Sequence, residues 1–121
     1  MHALIIEDDA LIGLHLRFVL EEVGFSSFDH ANTQAEAIIL CRLHRPDFIT
    51  ADVRLAKGSG IDAVDEIARE FGPIPVVFVT GNAGLLSGRT DPIFRKPFSE
   101  EQFCMTVAQI FAALTDASPT V

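Results

Sequence analysis

Two cysteines are too few for a disulfide framework. Cys41 and Cys104 lie inside apolar helical patterns and outside any CxxC or Cys/His cluster, so both read as buried, reduced thiols. Long hydrophobic runs are also missing: no stretch nears the roughly 18 uninterrupted apolar residues of a membrane span. The one apolar run near the start is cut by Glu7-Asp8-Asp9, unlike a secretory leader. Basic residues are scarce, with 9 Lys and Arg against 17 Asp and Glu and a formal net charge of −8. So acidic a chain is a poor DNA or RNA binder, because phosphate contacts need clustered Lys and Arg. Repeats, linkers and low-complexity blocks are absent as well. The expectation is a cytoplasmic protein with no membrane or nucleic-acid partner.

What remains is an ordinary globular composition, 49% hydrophobic and 21% charged, over 121 residues. That length suits one domain, residues 1–121, with the polar residues 115–121 as a frayed tail. Apolar runs alternate with amphipathic ones. Ala3-Leu4-Ile5-Ile6, Phe48-Ile49-Thr50-Ala51 and Val76-Val77-Phe78-Val79 are short continuous runs, the mark of strands buried on both faces. Residues 26–31 and Ile93-Phe94 are weaker strand candidates.

Between them lie helical patterns. Leu11, Leu14 and Phe18 fall at i, i+3 and i+7 within residues 10–23, before Gly24. Thr33 with Glu36 forms a capping box for a second helix that passes Ile38, Ile39 and Leu43. Ile61, Val64, Ile67, Ala68 and Phe71 trace a third. Ser99, with Gln102, caps a last helix carrying Phe103, Val107, Ile110 and Leu114 on one face. Residues 82–91 hold two glycines and one helical turn at most, and are expected to be poorly ordered without phosphate. Strands joined by helical crossovers must be parallel, and the crossovers right-handed. The result is an α/β fold, a doubly wound five-stranded parallel sheet of order 2-1-3-4-5.

In such a sheet the residues following each strand share one edge, and ligands bind there where strand order reverses. The first strand ends in Glu7-Asp8, the third in Asp52, the fourth in Thr80 and the fifth in Lys96. Reversal between the first and third strands puts Asp8 beside Asp52. Crowded carboxylates repel and invite either a proton or a cation. An all-oxygen cluster suits Mg²⁺. A metal with a nearby lysine also matches phosphoryl transfer, with Asp52 as nucleophile. The Thr80 hydroxyl can donate to a phosphoryl oxygen and Lys96 can pair with another. Asp9 reads as a helix cap. His2, His15, His30 and His44 are scattered without ligand spacing and read as structural or surface residues.

Over nearly its whole length the chain resembles the receiver domain of two-component response regulators. The motifs are Leu4-Ile5-Ile6-Glu7-Asp8-Asp9, Pro46-Asp47-Phe48-Ile49-Thr50-Ala51-Asp52, Val76-Val77-Phe78-Val79-Thr80-Gly81 and Arg95-Lys96-Pro97-Phe98. The resemblance implies a flavodoxin-like fold, with Asp52 as phosphoacceptor for a sensor histidine kinase. It implies Mg²⁺, or Mn²⁺ or Ca²⁺, on Asp8 and Asp52, on Glu7 through water and on the backbone carbonyl of Arg54. Thr80 would be the switch hydroxyl, Lys96 the phosphate-pairing cation and Lys96-Pro97 a cis peptide. Ala56 replaces a frequent proline and Ile93 the usual switch aromatic. The gap from Thr80 to Lys96 is short, so the fourth helix should be shortened or missing. The short segment is similar to a subgroup with the signature Phe-Ala-Thr-Gly-Tyr-Gly, whose kinases are often of the HWE type; Val79, Asn82 and Ala83 depart from it. The implied role is a single-domain regulator, or a receiver taken from a longer chain, that acts on a downstream protein or phosphotransfer protein and has no enzymatic turnover. A degenerate, unphosphorylated interaction module and an aspartyl-phosphate hydrolase are the alternatives.

Overall fold

The structure, a computed structural model, describes residues 1–116. The strands are β1 (His2–Ile6), β2 (Ser27–Ala31), β3 (Phe48–Ala51), β4 (Val76–Thr80) and β5 (Ile93–Arg95). Helices α1 (Ala10–Val23), α2 (Gln34–Leu43), α3 (Gly60–Phe71) and α4 (Glu100–Asp116) alternate with them. All neighbouring strands are parallel and the order is β2-β1-β3-β4-β5, as the sequence pattern predicts.

The apolar runs are continuous because helices cover both faces of the sheet. Alternate residues along each strand point to opposite sides. Leu4, Ile6, Ile49 and Phe78 pack with Ile38 of α2 and with Val64 and Ile67 of α3. Ala3, Ile5, Phe48 and Val77 pack with Leu16 and Leu20 of α1 and with Phe103 and Val107 of α4. Caps start the helices close behind the strand tips, which keeps polar groups at the rim. Asp9 Oδ1 accepts from the backbone N–H groups of Leu11 (3.0 Å) and Ile12 (3.2 Å). Thr33 and Ser99 accept from the N–H groups of Glu36 and Gln102.

The stripe that marks α1 as a helix is not the face it buries. Leu11, Leu14 and Phe18 are exposed, whereas Gly13, Leu16, Val19 and Leu20 face the sheet. Apolar residues lie on both sides of α1, so periodicity alone finds the helix without finding its inner face. On α2, Ile38 is buried while Ile39 and Leu43 are exposed. Two of the residues expected in a frayed tail, Thr115 and Asp116, are helical. The Thr115 hydroxyl donates to the carbonyls of Phe111 and Ala112. The rest of that tail, residues 117–121, lies outside the described residues. Cys41 and Cys104 are unpaired thiols; Cys41 is buried and Cys104 half-buried. Burial pushes the Cys41 thiol up to about 11.

Residues 82–91 form a single 3₁₀ turn at Ala83–Leu86, so the helix expected between β4 and β5 is reduced to that turn. Two contacts tie this segment to the body of the fold. Leu86 is buried, and the Arg89 guanidinium pairs with Asp65 of α3 at 3.0 Å and with Asp91 at 3.1 Å. Partly exposed pairs of this kind contribute about 1 kcal/mol at most. Arg89→Ala is therefore expected to speed amide exchange over residues 83–91 several-fold while β4 exchanges as before. Unchanged exchange in that segment would show that Arg89 does not anchor it.

Candidate functional site

Main-chain hydrogen bonds extend past the strand ends and fix the polar residues there. The Glu7 N–H donates to Ala31 O at 2.9 Å, and the Asp52 N–H donates to Ile6 O at 2.9 Å. The Lys96 N–H donates to Thr80 O at 3.0 Å. Glu7, Asp52 and Lys96 are thus set by the sheet itself and not by flexible loops.

Their side chains meet. Lys96 Nζ donates to Glu7 Oε1 and to Asp52 Oδ2, each at 2.8 Å. The other Glu7 oxygen accepts from the Asp9 N–H at 3.1 Å. Glu7 and Asp52 are buried and Asp8 is exposed, and one carboxylate oxygen from each of the three lies within 4.8 Å of the others. Asp52 Oδ1 is buried and has no hydrogen-bond partner among the described residues. Burial raises the Glu7 carboxyl above its ordinary value, against the pull of Lys96 and the Asp9 N–H. Burial also works to lower the Lys96 ammonium, but its bonds to Asp52 and Glu7 prevail and raise it.

The structure therefore brings together Glu7, Asp8, Asp52 and Lys96. Thr80, at the neighbouring tip, is fully buried, and its hydroxyl oxygen accepts from the Asn82 N–H at 3.0 Å. That leaves the hydroxyl hydrogen free to donate elsewhere. Arg54 is exposed in the loop after β3 and bridges to Ser59. The Lys96–Pro97 peptide is cis. Two features were not legible as site residues. A Cβ on Gly60 would lie 1.7 Å from the Asp52 carbonyl oxygen, so α3 can start against the Asp52 backbone only with glycine there. His30 Nε2 lies 2.6 Å from Glu7 O, with its ring over Gly13. A glycine at a predicted helix start was the one available signal, and it has many other causes.

Three carboxylates against one ammonium leave an excess of two negative charges. A buried carboxylate oxygen without a partner is costly unless a cation or proton meets it. The oxygen donor set fits a hard divalent ion. The family model for the response regulator receiver domain matches residues 3–108.

The chain belongs to the response regulator receiver family. It is 37% identical over 101 residues to the transcriptional regulatory protein PdtaR of Mycobacterium tuberculosis, a match covering 79% of this chain and 49% of that one. Among solved structures it resembles the receiver domain of Erythrobacter litoralis PhyR, with TM-score 0.82 and 34% identity over 99% of this chain and 95% of that one. It also resembles the anti-anti-sigma factor PhyR of Bartonella quintana, with TM-score 0.78 and 32% identity over 97% and 49% of the two chains. This receiver thus spans about half the length of PdtaR and of the Bartonella protein. Among its described residues no helix is long and apolar enough to cross a membrane.

Proposed function

We propose that this receiver is a phosphorylation-switched signalling module whose phosphoacceptor is Asp52. The observation that carries the reading is the Asp52 carboxylate itself: buried, bonded through one oxygen to Lys96, and orphaned at the other beside Asp8 and Glu7. The donor is a phosphohistidine on a sensor histidine kinase, of the HWE type on the subgroup likeness. An Asp52 oxygen attacks phosphorus as the P–N bond breaks. The imidazole nitrogen keeps that electron pair and takes a proton, leaving an acyl phosphate on Asp52.

Mg²⁺, or Mn²⁺ or Ca²⁺ in its place, would be held by Asp8 and Asp52 with the Arg54 carbonyl. When bound it would neutralise the carboxylates and the incoming phosphoryl oxygens. Both Glu7 oxygens are already engaged, by Lys96 and by the Asp9 N–H. Glu7 would therefore support such an ion through water. Lys96 exchanges its bond to Asp52 for one to a phosphoryl oxygen.

Thr80 reads the new charge. When its hydroxyl donates to the phosphoryl group, the Asn82 N–H bond at the head of the 3₁₀ turn readjusts. The turn and its surface shift between two arrangements. The chemistry ends on the chain itself, as uptake and hydrolysis of one phosphoryl group, and the module is regulatory. The acidic charge and the likeness to an anti-anti-sigma factor support a downstream protein, or a phosphotransfer protein, as the next contact. A kinase partner of this kind places the module in the cytoplasm.

A Mg²⁺ titration followed by amide NMR tests the metal step. Shifts are expected to centre on Asp8, Asp52 and Arg54. Asp8→Asn should weaken the binding by about tenfold or more. Shifts centred elsewhere, or equal affinity in the variant, would contradict the assignment.

A further inference from the structure

At the opposite end of the sheet, the fold gathers a second set of metal-ligating side chains. His2 opens β1, Asp29 lies in the middle of β2, and His44 follows the last residue of α2. One ligand atom from each lies within 4.8 Å of the other two. His2 is buried, Asp29 half-buried and His44 exposed.

The buried imidazole is held in one orientation. His2 Nδ1 lies 2.7 Å from Ser27 Oγ, and His2 Nε2 lies 2.9 Å from Asp29 Oδ2. The His2 N–H donates to Asp47 Oδ2 at 2.8 Å, which adds a second carboxylate to the neighbourhood. The His44 ring lies flat on the His2 ring, with centroids 3.7 Å apart and planes 12° from parallel.

We propose that His2, Asp29 and His44 form a binding site for a borderline divalent metal ion such as Zn²⁺. Two imidazoles and one carboxylate are donors that suit zinc, nickel or copper(II) better than magnesium. Ser27 is the orienting partner that metal-bound histidines need. With the His2 proton on Nδ1 and given to Ser27 Oγ, the Nε2 lone pair is free for the ion. The Asp29 oxygen that now faces Nε2 turns to the same ion. A tetrahedral shell at about 2.0–2.1 Å sets neighbouring donors about 3.3 Å apart. The direct His2–Asp29 contact at 2.9 Å therefore opens slightly. An imidazole ligates in its own plane, so the stacked His44 ring must rotate off His2; its exposure permits that. Three protein ligands leave a fourth position for water. The bound ion ties β1, β2 and the end of α2 together, away from the strand tips that carry Asp52.

Zn²⁺ titration of the full chain, with excess Mg²⁺ to fill the acidic pocket, tests this by calorimetry and by NMR of the histidine ring nitrogens. One ion per chain is expected, with shifts at His2 and His44 and none at His15 or His30. His44→Ala removes an exposed side chain and leaves the core intact. It is expected to weaken Zn²⁺ binding by about tenfold or more, as is Asp29→Asn. Zn²⁺ should raise the urea midpoint of the parent chain but not that of His44→Ala. Affinity unchanged in His44→Ala, or ring shifts confined to His15 and His30, would overturn the proposal.

Discussion

Gly60→Ala is expected to destabilise the protein by about 3 kcal/mol, the scale of overpacking at a rigid site. The new methyl group would sit 1.7 Å from the Asp52 carbonyl oxygen and 2.8 Å from its carbonyl carbon. Both are backbone atoms of a residue pinned to β1 through Ile6, so neither can step aside cheaply. Either α3 or the Asp52 backbone must move. In urea, with a slope of about 1–3 kcal/mol per molar, the midpoint should fall by about 1–3 M. Mg²⁺ affinity should fall with it, since Asp52 is displaced. Gly84→Ala is the control: a Cβ there meets nothing within 4 Å. Equal midpoints for the two variants would show that α3 is not wedged against Asp52.

The second large effect concerns Lys96→Met in metal-free buffer. The substitution strands the buried Glu7 and Asp52 carboxylates together without their cation. Removing one partner of a buried ion pair costs about 3–5 kcal/mol. The cost depends on pH, and its sign follows from Glu7. Burial already holds that carboxyl above its ordinary 4.5, and loss of Lys96 pushes it higher. A carboxyl raised in the folded state favours folding fully below its unfolded value and loses that benefit as pH rises through the folded one. The gap between parent and variant should therefore be smallest near pH 4.5 and widen toward neutrality. In the parent chain the Lys96 ammonium is raised above 10.5, so its contribution is present below that pH and is lost as pH climbs through the raised value. The gap closes again there. Urea midpoints across this range measure it, and a gap that stays flat between pH 5 and pH 8 would contradict the coupling. Added Mg²⁺ should narrow the neutral gap by supplying the missing positive charge.

Much of this was legible in the amino-acid order because burial on both faces leaves a strong imprint. Leu4, Ile5 and Ile6 must all be apolar when helices lie above and below β1. The abrupt changes at Glu7, Asp52, Thr80 and Lys96 mark where the sheet ends and water or ligand begins. Parallel topology then carries those four to one rim, so their sharing of that rim follows from connectivity alone.

Other features depend on distances that the chain order does not encode. The buried face of α1 was hidden because Leu11, Leu14 and Phe18 are as apolar as Leu16, Val19 and Leu20. The anchor from Arg89 to Asp65 spans two elements and leaves no periodic trace. His2 and His44 looked scattered because stacking joins the first residue of β1 to the end of α2. Gly60 resembled any glycine before a helix until the Asp52 carbonyl appeared against it.

The central claim is that Asp52 takes up a phosphoryl group with help from the pocket around it. Phosphoramidate offers a P–N bond like that of phosphohistidine without requiring a kinase. Incubation with phosphoramidate and Mg²⁺, followed by intact-mass and peptide mass spectrometry, should show one phosphoryl group per chain, carried by Asp52. Asp52→Asn should show none. Labelling undiminished in Asp52→Asn, or located on another residue of the parent chain, would contradict the account.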